Sequence, residues 1–305
     1  MDVHVRPCMT PGDLVAMKRV LIAGRRASPH CGYIHVGDLD WWHSYLLRRY
    51  NWPQIAFLWE TAGGAVVGWS LFSPGYGAFD LFALPDVRGS ASLDVMLEWT
   101  VTRATDIARQ QGGTVIATMW VFADDALWQG HLARRGFAPD PDYALHYLLH
   151  PLDDVPSPRL PDGFALGHVA PQDVEARAAA HRAAFGSAHM TGAAYRQVVA
   201  APGYRPDLDV VSAAPDGRIA SFALGWLDDE NRVGEFEPVG TPAEFRGQGL
   251  GRAALLEGLR RLRALGAQSV IVYAEADNRA AQALYRSVGF RQENTILAYR
   301  KAIGV

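Results

Sequence analysis

The sequence predicts an α/β protein made of two tandem units of roughly 140 residues each. Three observations predict it. Strand and helix signals follow one another in the same loose order in both halves. Each half closes a helix on a Gly-Phe pair, Arg134-Arg135-Gly136-Phe137 in the first and Ser287-Val288-Gly289-Phe290 in the second. Between the halves, Pro151, Pro156, Pro158 and Pro161 crowd one short stretch and exclude regular structure there. The expected division is a first domain over 1–150, a linker over 151–163 and a second domain over 164–305.

The elements follow from periodicity and punctuation. In the first half, helical spacing predicts a helix over 12–26, then strands over 55–60, 66–72 and 78–84. A helix over 93–110, a strand over 115–120, a helix over 124–135 and a strand over 143–149 complete it. In the second half a strand begins at 164–169, and the Ala-rich stretch 171–185 reads as a helix. A helix over 191–200 and a strand over 208–214 follow, with Asp216-Gly217 as a hairpin turn. Strands over 219–226 and 232–241 are joined by the polar run 227–231. An amphipathic helix over 249–265 stops at Gly266. Val270, Ile271 and Val272 mark a strand over 269–273, followed by a helix over 278–288 and a last strand over 296–300.

Charge and composition narrow the partners. The net charge is −3, and neither half is polybasic, which argues against nucleic acid and anionic membranes. No apolar run reaches the ~18 residues of a membrane span, so a cytoplasmic protein is expected, as a monomer or homodimer. Cys8 and Cys31 make no disulfide framework and read as small, buried or half-buried side chains. No His, Cys or carboxylate cluster has metal-ligand spacing, so no metal is expected. The aromatics from Trp41-Trp42 to Trp69 read as core; His181, Tyr195 and Tyr204 are candidates for the acceptor region.

The chemistry concentrates in one stretch. A strand carrying Glu235, Glu237 and Pro238 leads through Val239-Gly240-Thr241 into Arg246-Gly247-Gln248-Gly249-Leu250-Gly251-Arg252, which opens the long helix. Unpaired amides and the positive end of the helix dipole favour phosphate there. Glycines let the backbone approach, and Arg246 and Arg252 add charged donors. The stretch lacks the Gly-Lys-Ser/Thr of a P-loop and the Gly-x-Gly-x-x-Gly of a dinucleotide fold. Pro238 cannot donate a ladder bond, so the strand must bulge or lie at an edge. Glu235 and Glu237 share one face of an extended strand unless such a bulge intervenes. Either could take a proton from an ammonium or bind a cationic acceptor; a solvated acidic face is the plain alternative. Farther on, Asn278 and Tyr285 lie two helical turns apart on one face, with small Ala281 between.

Together these segments resemble the acetyl-CoA motifs of GCN5-related N-acetyltransferases (GNATs), most strongly over 232–300, and within them the two-domain mycothiol synthases. Pro238 and Glu237 depart from the hydrophobic strand of the latter. The resemblance implies two tandem GNAT-like domains, each a mixed, largely antiparallel sheet flanked by helices. It implies that Val239 and Thr241 offer main-chain groups to pantetheine, with Gly240 between them, and that Arg246 to Gly251 cradle the diphosphate. Asn278 would hold the pantetheine amides, Tyr285 would protonate the departing thiolate, and Glu235 would contact the acceptor. The implied activity is acetyl transfer from acetyl-CoA to the primary amine of a small molecule. Acetylation of a cysteinyl-sugar amine, or acyl-CoA binding without turnover, are the alternatives. In the first half, Ala91 and Leu93 stand where the loop needs glycines, Asp125 replaces Asn278 and Leu132 replaces Tyr285. That half is therefore expected to be catalytically silent, walling the acceptor cleft and burying sheet edges.

Overall fold

The computed structural model describes residues 2–304. In chain order it begins β1 (Val3–Pro7), α1 (Pro11–Ala27), α2 (Val36–Trp41), a π-helical turn over Trp42–Leu46, and α3 (Trp52–Ile55). Next come β2 (Ala56–Thr61), β3 (Val66–Ser73), β4 (Ala78–Ala83), α4 (Pro85–Arg88) and α5 (Ala91–Gln110). β5 (Val115–Phe122), α6 (Ala126–Ala133) and β6 (Ala138–His150) precede the proline-rich stretch. Beyond it lie β7 (Ala165–His168), α7 (Val174–Phe185), α8 (Gly192–Val199), β8 (Asp209–Ala213), β9 (Ile219–Asp228) and β10 (Val233–Gly240). The chain ends with α9 (Leu250–Ala264), β11 (Ser269–Glu275), α10 (Arg279–Ser287) and β12 (Arg291–Ala302).

The predicted elements are present, with ends moved by a few residues. β1, α2 with its π turn, α3 and α4 had no sequence signal strong enough to announce them. Each is six residues or shorter, too short for either periodicity to accumulate.

The fold is mixed α/β, with mostly antiparallel sheets flanked by helices. It forms two compact units that do not follow the linear division at residue 150. One comprises Met1–Ile34, Leu47–His146 and Glu293–Val305; the other comprises His35–Leu46 and Tyr147–Gln292. The first has strand order β1-β2-β3-β4-β5-β12, so its last strand comes from the far end of the chain. The second has the order β11-β10-β9-β8-β7 and takes up the segment with α2, and the division between His146 and Tyr147 falls within β6. In each unit one parallel pair, β4–β5 or β10–β11, sits among antiparallel neighbours.

The core of the second unit sets the position of the site. α9 lays Leu255, Leu256, Leu259 and Leu262 over Phe236, Val270 and Val272, all buried. Gly258 allows that approach: a Cβ there would stand 2.6 Å from the Phe236 ring. Four buried leucines of this kind contribute roughly 1.5–3 kcal/mol each, enough to fix the helix start against the strand.

Candidate active site

β10 is where the second sheet opens. Its parallel ladder with β11 covers Val233–Glu235 against Ser269–Ile271. Against β9 the register shifts between Phe236 and Val239, the bulge that Pro238 demands. The Glu237–Pro238 peptide is cis. Both glutamates lie near Asp38 but differ in exposure. Glu235 is fully buried while Glu237 is half-buried.

Beyond the bulge the chain reaches the glycine loop. Gly247 and Gly249 both have φ of +77°, a left-handed backbone that residues with a Cβ rarely adopt. Gly249 is the N-cap of α9, and the first bond of that helix runs from Ala253 N–H to Gly249 O (3.0 Å). Amides of the first turn ahead of it have no intrahelical partner. Arg246 is bound back: its Nε donates to Thr241 O (3.1 Å) and Nη2 to Ala184 O (3.2 Å). It staples the loop to α7 as well as adding charge. Arg252 Nε donates to Ser287 O (3.4 Å), and the Gln248 amide turns back to Glu244 O (3.4 Å).

These elements enclose a cavity of about 610 Å³. Val239, Gly240, Thr241, Arg246, Gly247, Gly249, Leu250, Gly251, Arg252, Asn278 and Tyr285 line it together. Ala184 and Phe185 of α7, Leu284 of α10 and Ser287 join them, residues to which the sequence attached no role. Asn278 also caps α10, its Oδ1 accepting from Ala281 N–H (3.0 Å). An Asn directly ahead of a helical run is a readable capping signal, so this second duty was available from the sequence.

Next to Tyr285, behind the lining, stands a carboxyl group. Burial, and then the Asp38 charge, push the Glu237 carboxyl up to about 8. Burial and the Glu237 charge raise the Tyr285 phenol well above its usual range, so it stays protonated at any physiological pH. Asp38 and His35 come from the segment around α2, which sequence reasoning left unassigned. His35 and Glu235 are fully buried and Asp38 nearly so. The His35 Nδ1 lies 3.0 Å from Glu235 Oε2.

The other candidates are structural. Tyr195 and Tyr204 both donate to Asp209 Oδ2, the latter at 3.0 Å, beside the buried Arg177–Asp209 pair. His181 is packed among Trp41, Phe185 and Phe222. Burial, reinforced by the Arg177 charge, lowers its pKa to about 3, so it is neutral at working pH. Trp41 and Trp42 are core. Among the described residues no group of His, Cys, Asp and Glu could hold a metal ion, and no helix is long and apolar enough to cross a membrane.

The corresponding place in the first unit is filled. Asp125 caps α6 by accepting from Trp128 N–H (3.1 Å), at the same spacing as Asn278 and Ala281. There the resemblance stops. Arg88 is bonded to Asp125 and lies over the Tyr33 ring, 5.3 Å from its centroid. The Tyr33 hydroxyl donates to Ala83 O (2.7 Å). Between Arg88, Tyr33, Leu93 and Trp128 a cavity of only about 10 Å³ remains, room for a single water.

Known proteins share the sequence pattern and the fold. The family described as "Acetyltransferase (GNAT) family" matches residues 180–290, which contain the loop, β11 and α10. A mycothiol acetyltransferase of Catenulispora acidiphila is 31% identical over 280 residues, 86% of this chain and 82% of that protein. One from Streptomyces coelicolor is 34% identical over 162 residues, so the match spans only about half of each chain (51% and 52%). Among solved structures, a tandem GNAT protein from the clavulanic acid biosynthesis pathway has a TM-score of 0.70 at 16% identity, covering 100% of this chain and 99% of that one. A GCN5-related N-acetyltransferase from Sphaerobacter thermophilus has a TM-score of 0.66 at 20% identity, covering 99% and 97%. At those identities the likeness is one of fold.

Proposed function

Because this chain belongs to the GNAT family of acetyltransferases, we propose that its second unit moves the acetyl group of acetyl-CoA to a primary amine of a small molecule by direct attack. The observation that carries this reading is one cavity lined both by the uncapped start of α9 and by Tyr285, a tyrosine on which the Glu237 charge acts.

The residues fit such a cosubstrate. The loop from Arg246 to Arg252 presents amides and guanidinium groups to a diphosphate. Ala281, Leu284 and Gly251 leave a narrow apolar passage for the pantetheine arm, with Asn278 beside it. Main-chain N–H groups of Val239–Thr241, past the point where the β11 ladder ends, stabilise the oxyanion of the thioester. Glu237 takes the proton of the attacking ammonium. A base with a pKa of about 8 is well matched to that task near neutral pH. As the C–S bond breaks, Tyr285 gives its proton to the thiolate. The first unit, with its pocket filled, takes no part in the chemistry and binds no acetyl-CoA.

A specific observation also favours a narrower acceptor. The curated relatives matched here carry the name mycothiol acetyltransferase, which points to the amine of a cysteinyl sugar. Release of free thiol from acetyl-CoA, measured over a panel of primary amines that includes a cysteinyl amino sugar, tests both readings. Turnover with an amine supports the enzyme, and preference for the cysteinyl sugar supports the narrower acceptor. Tight acetyl-CoA binding without thiol release for every amine would instead make the chain a binding protein.

A further inference from the structure

α7 ends on Phe185, and Gly186 closes the helix in the left-handed conformation (φ +65°). A phenyl ring gains most from burial, yet this one is 51% exposed. It lines the cavity, with Ala184 beside it. Its neighbours hold it in place. The ring packs against His181, one helical turn back, with centroids 4.7 Å apart, and against Phe222 of β9 at 6.1 Å. His181 in turn packs on Trp41 and Tyr45. The Tyr45 hydroxyl is bonded to Ser187 Oγ (2.6 Å), just past the phenyl. Half of the ring is left open to whatever enters the cavity.

Strand parity tells which face of the sheet the ring serves. Phe222 and Trp226 lie four residues apart on β9 and point to one face, while Gly225 points to the other. A Cβ on Gly225 would stand 3.7 Å from Leu262 of α9, so α9 covers that second face. A Cβ on Gly37 of α2 would meet Trp226 at 2.4 Å. One on Gly240 would meet Phe222 at 2.4 Å and Ala184 of α7 at 3.0 Å. α2 and α7 therefore cover the face opposite α9. The glycine loop opens α9, and Tyr285 packs in the same core as the α9 leucines. The acyl donor thus takes the α9 side of the cavity. The Asp38 charge of α2 acts on Glu237, which places the base towards the other side, where Phe185 is. In direct attack the amine reaches the thioester carbon from space that the donor does not fill. That space is bounded by α2 and α7.

We infer that Phe185 is a specificity-determining residue for the acceptor: its open ring receives the carbon skeleton of the amine, so the site favours primary amines that carry an apolar face beside the amino group. The inference rests on the proposed acetyl transfer and names the substrate class of that site. An apolar skeleton laid on the ring removes both surfaces from water. An amine with only polar substituents would lose its own hydration there without hydrogen bonds in return.

Two amines of opposite character test this, cyclohexylmethylamine and 2-aminoethanol. In the parent, kcat/KM for the first should exceed that for the second by at least about tenfold. Phe185→Ala should lower kcat/KM for cyclohexylmethylamine about tenfold and for 2-aminoethanol by less than about twofold, while acetyl-CoA affinity in calorimetry stays within about twofold. Phe185→Leu, which keeps an apolar side chain, should retain most of the preference. A parent without preference, or equal losses for the two amines in Phe185→Ala, would overturn the inference. So would a tenfold loss of acetyl-CoA affinity in Phe185→Ala, which would put the ring on the donor. If no amine is acetylated, the acetyl-transfer reading fails by itself. Titration of cyclohexylmethylamine into the protein loaded with CoA then still decides the role of the ring. Binding weakened about tenfold by Phe185→Ala supports it; binding that is unchanged in the variant, or absent in the parent, overturns it.

Discussion

At the scale of single residues, Glu237 and Tyr285 carry the testable chemistry. Burial and Asp38 push the Glu237 carboxyl up to about 8, and a base must be deprotonated. kcat/KM should therefore rise with pH through about 8, and Glu237→Gln should remove that limb; a profile unchanged in the variant would strip Glu237 of the role. Tyr285→Phe removes only the hydroxyl. In the proposed reading it lowers turnover at least tenfold while acetyl-CoA affinity stays within about twofold; unchanged turnover would end its assignment as the acid. Asp80, on β4, tests the electrostatics away from the site. It is buried, and burial raises its pKa from 3.8 to about 7 against a single opposing bond from Met119 N–H. The folded protein holds that proton more tightly than the unfolded chain. Its stability contribution is full below about 4 and lost as pH rises through about 7. Asp80→Asn should therefore stabilise the fold at pH 8 by on the order of a few kcal/mol, read as a higher Tm, and change Tm little at pH 4. Tyr285 and Glu237 were legible because each lies in a short stretch whose pattern is local. His35 and Asp38 were not, because nearly two hundred residues separate them from β10, and nothing in their own neighbourhood signals that distant strand.

At the scale of elements, the turn from β10 into α9 is the feature the site depends on. Gly249 sits at φ +77° with no obstacle near its Cβ position, so backbone conformation alone demands the glycine. Gly249→Val would force a β-branched residue into the left-handed region, at a cost of about 1–3 kcal/mol, and should abolish acetyl-CoA binding in calorimetry; normal binding would mean the loop holds something else. Gly258 is required for the opposite reason. Its backbone is ordinary but Phe236 stands against it, so Gly258→Ala should lower stability by roughly 1–3 kcal/mol, read as a fall in the urea midpoint. The loop and α9 were readable because a strand, a glycine run and an amphipathic helix follow directly in sequence. The place of β12 was not. Its alternation announces a strand, but pairing partners are chosen by tertiary packing. Ile296–Ala302 pairs with Val115–Phe122 of the first unit.

At the scale of the whole chain, duplication has left one open pocket and one filled one. Both units keep the capped helix, Asp125 with Trp128 N–H and Asn278 with Ala281 N–H. Arg88, Tyr33 and Asp125 close the first pocket with bonds that a ligand would have to break. The most direct measurement is the stoichiometry of acetyl-CoA binding by isothermal titration, on the parent and on Gly249→Val. One acetyl-CoA per chain in the parent and none in the variant is the predicted result. Two per chain, or one that survives in Gly249→Val, would contradict a single acetyl-CoA site in the second unit.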